Sequence, residues 1–257
     1  MKKRIQVHIP YRMLIERLED VLSAGLNPEI YTDAATLDSI RPKDLKDTRE
    51  ILTEKGLRIT LHGPYMDLSP GASDEKIRLI TVERYRQTFE AAQLLLPETI
   101  VLHAGYDERR FDGDVPLWLS QSRKTWPRFI KEAEKMGSVI AVENVFEENP
   151  LPIKRLVESV NSPNFRVCLD SGHLNLFSKV KMEEWFNELG SKVSEVHLHD
   201  NRGKWDEHLI IGDGNIDFPL FFSLLKKYSH DPVYTVELHG EEVLWKGLEA
   251  ARRFIEG

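Results

Sequence analysis

The stretch VIAVEN, residues 139–144, decides how this chain folds. Val139, Ile140, Ala141 and Val142 make a short apolar run, mostly β-branched, and the run ends on an acid, Glu143. Such a run reads as a buried strand. Outward from it the same design recurs as ITLH (59–62), TIVLH (99–103), VCLD (167–170), EVHLH (195–199) and YTVEL (234–238), each carrying an imidazole or carboxylate at or near its end. A buried strand that repeatedly finishes on a metal-capable side chain is hard to attribute to folding needs alone.

Placed in order, strands are predicted at about 4–9, 28–32, 58–62, 98–103, 139–144, 166–170, 194–200 and 233–238. Amphipathic helices fall between them at about 11–24, 42–55, 74–95, 117–136, 151–161, 181–190, 218–229 and 241–256. Strict alternation predicts parallel strands joined by right-handed crossovers. A chain of 257 residues suits one α/β domain, 1–257, folded as a closed (β/α)8 TIM barrel, in which all strand ends meet on one face. A doubly wound open sheet is the rival, but no glycine-rich phosphate fingerprint follows the first strand.

Side-chain parity supports the barrel. If the terminal ligands point inward, so do Thr60, Val101, Val139, Ala141, Cys168, Val233 and Thr235, which are small or β-branched. The opposite parity gives Ile59, Leu61, Leu102, Ile140, Val142, Leu169, Val196, Leu198 and Val236, suited to packing under helices. Glu195 breaks the pattern and is expected below the packed layers, near the start of its strand.

Bulk properties narrow the function. Hydrophobic residues are 41% and charged residues 30%, as in soluble globular proteins. No apolar run approaches a membrane span, and MKKRIQVHIPYRML is too interrupted for a secretory signal. The single cysteine, Cys168, rules out an internal disulfide, fits a cytoplasmic protein, and reads as a small buried strand residue rather than a nucleophile. A net charge of -7 argues against a long nucleic-acid footprint.

Glu143, Asp170, His197 and Glu237 end strands that face one another across the barrel. Three carboxylates and one imidazole in one pocket would repel and raise one another's pKa unless a divalent cation sat among them. The alternative is a set of polar strand ends, each paired with loop amides. His62 and His103 flank Glu143 and suit a second ion sharing that carboxylate. His173, in the loop after the sixth strand, and the D-x-H pair Asp206 and His208 suit a third, the alternative being a local turn with a solvent-facing imidazole.

The segments LHGPYMDLSPG (61–71), VLHAG (101–105), AVENVFE (141–147), VCLDSGH (167–173), HLHDNRGKWDEHLIIGDGNIDF (197–218) and VELHG (236–240) resemble the xylose isomerase-like TIM-barrel superfamily, which includes sugar phosphate isomerase/epimerase proteins and endonuclease IV. The isomerase and epimerase branch implies one divalent metal, zinc or manganese, held by Glu143, Asp170, His197 and Glu237, with Glu143 and Glu237 also acting as acid and base. The nuclease branch implies three zinc ions on all nine positions, adding His62, His103, His173, Asp206 and His208. Two departures weigh against the nuclease: TDAATLDSIRPKD (32–44) lacks DNA-inserting residues, and CLDSGHLNLF (168–177) differs from its sixth-strand motif.

The first expectation is therefore a metal-dependent isomerase or epimerase acting on a small sugar or sugar phosphate. Tyr65 and Trp205 are candidate walls for the sugar, Arg202 and Lys204 candidate partners for a phosphate or carboxylate, and His199 and His239 candidate substrate contacts. The loop GPYMDLSPGAS (63–73) is a candidate cover. The second is a multi-zinc phosphoesterase cutting abasic DNA, and the third a non-catalytic metal- or sugar-binding barrel. No membrane partner is expected, and a homo-oligomer is compatible with the fold.

Overall fold

The computed structural model describes residues 3–238 and 240–256. Eight parallel strands close into a barrel in chain order. They are β1 (Ile5–Pro10), β2 (Asn27–Tyr31), β3 (Thr60–His62), β4 (Thr99–His103), β5 (Val139–Glu143), β6 (Phe165–Asp170), β7 (Val193–Leu198) and β8 (Val233–Val236). Closure comes from β1 pairing with β8, Gln6 opposite Thr235.

The helices are α1 (Tyr11–Glu16), α2 (Leu18–Ala24), α3 (Ala34–Ser39), α4 (Pro42–Glu54), α5 (Glu75–Leu95), α6 (Val115–Met136), α7 (Leu151–Val160), α8 (Ser171–Phe177), α9 (Met182–Leu189), α10 (Phe218–Tyr228) and α11 (Glu241–Glu256). The helix expected over 11–24 is broken at Arg17 into α1 and α2. Two short helices, α3 and α8, occupy stretches read from sequence as loop. Each starts on an aspartate cap: the Thr36 amide donates to Asp33 Oδ1 at 2.7 Å and the His173 amide to Asp170 Oδ1 at 2.6 Å. His173 thus stands on the first turn of a helix, not in a free loop. The last strand stops at Val236, so Glu237 lies one residue beyond it.

The two parities separate as their chemistry requires. Ile59, Leu61, Leu102, Ile140, Val142, Leu169, Val196, Leu198 and Val236 join the main core between barrel and helices. Trp118, Trp126 and Trp185 are fully buried there, and each large apolar side chain so placed contributes roughly 1.5–3 kcal/mol. Inside the barrel, Val101, Ala141 and Cys168 pack as a separate small cluster.

Beside that plug the interior is polar. Gln6 Nε2 lies 2.6 Å from Thr60 Oγ1 and 2.8 Å from both Thr235 Oγ1 and Glu195 Oε1. The Thr235 hydroxyl donates to Glu195 Oε1 at 2.6 Å. Glu195 is therefore not below the packed layers. It is fully buried within them, with a carboxyl oxygen within 4.8 Å of ligand-capable atoms of Glu29 and His197. Burial, with Glu29 close by, raises its pKa well above the ordinary carboxylate value.

Candidate metal centre

The strand ends bring Glu143, Asp170, His197 and Glu237 together, with one ligand atom from each lying within 4.8 Å of all the others. Their placement is fixed locally. Asn144 clamps β5 to β6: its Oδ1 accepts the Asp170 amide at 2.8 Å and its Nδ2 donates to the Asp170 carbonyl at 3.2 Å. His197 Nδ1 is 3.0 Å from Glu237 Oε2, 3.4 Å from Glu143 Oε1 and 3.9 Å from Asp170 Oδ2. It is buried, yet no aligned hydrogen bond reaches it. A nitrogen this close to three carboxylates, with its lone-pair direction unclaimed, fits a shared cation better than pairwise bonding. The donor set suits a hard or borderline divalent ion.

Two further groups surround this set. His62 Nε2 and His103 Nε2 lie 3.0 and 3.2 Å from Glu143 Oε2. The other nitrogen of His62, Nδ1, donates to the Gly63 carbonyl at 2.7 Å, which leaves Nε2 free to act as a ligand. On the other side, Asp206 Oδ2 is 3.3 Å from His173 Nε2 and 3.2 Å from His208 Nε2. His208 is buried, not solvent-facing, and takes a left-handed φ of 48° that few non-glycine residues adopt.

Asp200 builds the loop that carries Asp206 and His208. Its Oδ1 accepts the amides of Asn201 and Ile216 at 2.8 and 3.2 Å, and its Oδ2 those of Gly212 and Gly214 at 3.0 and 2.9 Å. Gly214 is required: a Cβ there would stand 2.2 Å from Asp200 Oδ1. His199 packs beneath this loop, stacked on His208 at 4.0 Å, with its Nε2 3.0 Å from Asp170 Oδ2. It fits only because residue 172 is glycine, where a Cβ would fall 2.0 Å from His199 Cε1.

The carboxylates and imidazoles of the site hold one another charged. Burial works against every ion here, yet the imidazoles of His197 and His103 hold Glu143 well below the carboxylate range, and those of His8, His197 and His208 do the same to Glu237. In return His173 and His197 are held well above the imidazole range, and His208 is raised to about 9 by Asp206 and Glu237. His103 is the exception, since burial outweighs Glu143 and lowers it. Protons on imidazoles do here what a cation would do.

A cavity of about 390 Å³ opens above these residues, within the usual range for a small-molecule site. Tyr65 lines it, stacked on His103 at 4.7 Å. Arg202, Lys204 and Trp205 do not. Arg202 is paired with Glu207 at 2.6 Å, Lys204 is exposed, and Trp205 is 77% exposed on the outer loop. His199 lies under the site, and His239 lies outside the described residues.

Sequence reasoning missed Glu29, Tyr31, Arg110 and Glu147. Glu29, fully buried on β2, accepts from His8 Nδ1 at 3.0 Å and His197 Nε2 at 3.2 Å. Burial opposes its ionisation, but these imidazoles bring its pKa down to about 2. A lone acid in the run PEIYT was the available signal. Tyr31 stacks on His8 at 5.4 Å. Arg110 lines the cavity from a charged loop with no periodicity to mark it. Glu147 is buried, and burial raises its pKa to about 7.

The family model described as xylose isomerase-like TIM barrel matches residues 28–256. An uncharacterised protein of Methanocaldococcus jannaschii is 30% identical over 84% of this chain and 76% of its own length. A protein of Haemophilus influenzae, provisionally named L-ribulose-5-phosphate 3-epimerase SgbU, is 26% identical over 72% of this chain and 68% of its own. Among solved structures, a D-tagatose 3-epimerase-like protein superposes with a TM-score of 0.83 at 28% identity, covering 98% of this chain and 97% of that one.

Proposed function

We propose that this chain, which belongs to the xylose isomerase-like TIM-barrel family, is a divalent-metal-dependent sugar epimerase or isomerase that moves a proton on the carbon beside a carbonyl. One observation carries the reading. Glu143 of β5 and Glu237 beyond β8 converge on His197 Nδ1 from different strands, at 3.4 and 3.0 Å, at the floor of a cavity sized for a small molecule. A zinc or manganese ion held by Glu143, Asp170, His197 and Glu237 would supply Lewis acidity toward a carbonyl and its neighbouring hydroxyl.

The protein's own residues supply the rest. Both glutamates are held below the ordinary carboxylate range, so either can take the proton from the carbon, and the other can return one that it has first taken from solvent water. Tyr65 offers a flat wall for the sugar. Arg110, the one Lys or Arg side chain among the described lining residues, is the candidate partner for an anionic substituent, which would compete with Asp107 Oδ2, 3.6 Å from its Nε. The names of the Haemophilus influenzae protein and the D-tagatose 3-epimerase-like structure support a keto-sugar with chemistry at carbon 3.

A multi-metal phosphoesterase is the second reading, favoured by Asp206 joining His173 and His208 beside the inner set. Protein purified without a chelating resin separates the two. Metal analysis is expected to give one ion per chain, with deuterium entering ketopentoses or ketohexoses at carbon 3 in heavy water. Three ions, cleavage of an abasic duplex and no exchange would overturn the epimerase reading.

A further inference from the structure

We propose that Glu29 is a positioning residue that fixes which nitrogen of His197 meets the cation, and that it does so while holding a second imidazole, His8. The inference rests on the cation reading above. Glu29 comes from β2 and His197 from β7, strands that are not neighbours, and their side chains meet inside the barrel. Glu29 Oε2 lies 3.2 Å from His197 Nε2, and Glu29 Oε1 lies 3.0 Å from His8 Nδ1. All three are deeply placed: the Glu29 and His197 side chains are 0% exposed and His8 is 12% exposed.

An ionised carboxylate can only accept hydrogen bonds. A His197 that gives up one proton to a cation must therefore keep the other on Nε2, facing Glu29, which leaves the Nδ1 lone pair directed at Glu143, Asp170 and Glu237. The same holds for His8: its Nδ1 donates to Glu29, so its Nε2 is turned toward Glu237 Oε1, 3.9 Å away. One buried acid thus sets which nitrogen of each of two neighbouring rings keeps a proton toward it. Partners of this kind typically alter metal affinity 10–100-fold when removed.

The carboxamide of Glu29→Gln has nearly the same shape but only one acceptor oxygen. Its NH2 group must then face one of the two imidazole N–H groups. If that ring is His197, the proton is driven onto Nδ1 and the ligand lone pair is lost. Removing the competing ring should restore function: in Glu29→Gln with His8→Phe, the side chain is free to turn its oxygen to His197, while phenylalanine keeps the stacking on Tyr31.

Zinc affinity measured by chelator competition is the test, with circular dichroism and melting of the metal-free proteins to establish folding. Glu29→Gln is expected to weaken zinc 10–100-fold, and the double variant to recover at least a third of that loss on a logarithmic scale. Nitrogen-15 spectra of histidine-labelled, zinc-loaded wild type are expected to show His197 bound through Nδ1 and protonated at Nε2, a result independent of any variant's folding. Binding through Nε2, an affinity for folded Glu29→Gln within threefold of wild type, or a double variant no better than the single would overturn the role of Glu29. No zinc uptake by wild type would instead overturn the cation reading, and this inference with it.

Discussion

The inner four and the outer three side chains of the candidate metal site are built differently. Glu143, Asp170 and His197 end or nearly end strands, with Glu237 one residue past another, and the hydrogen-bonded barrel dictates where they stand. Asp206 and His208 ride on a loop whose shape depends on one buried aspartate, Asp200, and Asp206 is 35% exposed where Glu143 and Asp170 are 1% or less. The contrast suggests a division of labour: a rigid floor that holds charge, and an adjustable rim that can be reshaped without disturbing it.

The sharpest way to break this division is at the floor. Glu237→Gln is expected to lower turnover by about 10²–10⁴ with the cation still bound, measured by deuterium exchange alongside metal analysis. Unchanged turnover would remove Glu237 from the proton transfer. Asp200→Ala attacks the rim instead. It strands the amides of Asn201, Gly212, Gly214 and Ile216, and is expected to cost roughly 2–4 kcal/mol in denaturant unfolding while the floor still takes one ion. Loss of that ion as well would mean floor and rim are one unit.

Acidity sharpens the same comparison. In metal-free protein His208 has its pKa raised from 6.5 to about 9, so its folded form holds a proton longer than the unfolded chain does. Its stabilising contribution is complete below pH 6.5 and lost as pH rises through about 9, about 3 kcal/mol in all. Melting of apo protein between pH 6 and 9.5 checks this, with His208→Asn expected to flatten the curve. Cation affinity should run the opposite way, rising with pH as the imidazole protons leave. At the far end of the scale, Trp205→Ala, at a side chain 77% exposed, is expected to change stability by under about 0.5 kcal/mol and turnover by less than twofold. A larger fall in turnover would bring that loop over the cavity in the working enzyme.

What was legible in the sequence follows the same line. The strands, their inward and outward parity and the donors at their ends obey a period of two that needs no tertiary knowledge, and VIAVEN, VCLD and EVHLH announce them. The short helices α3 and α8 were not legible, because six or seven residues are too few to show a helical period and their aspartate caps also read as turn residues. Glu29 was hidden for another reason. It is two residues short of its strand's end; His8 stands opposite it once β1 and β2 pair, but His197 reaches it from β7 only once the barrel has closed. Arg202 and Lys204 looked like anion ligands because charge in a loop near a motif does so, whereas Arg202 is occupied by Glu207.

The chain's one cysteine turns the barrel into its own reporter. Cys168 is 0% exposed, lodged against Val101 and Ala141, and burial raises its thiol pKa well above normal. An alkylating reagent therefore finds no thiolate in closed molecules and reacts only with those that have opened. The rate of labelling would count opening events, molecule by molecule, at the layer directly beneath His197, without any dye or engineered probe.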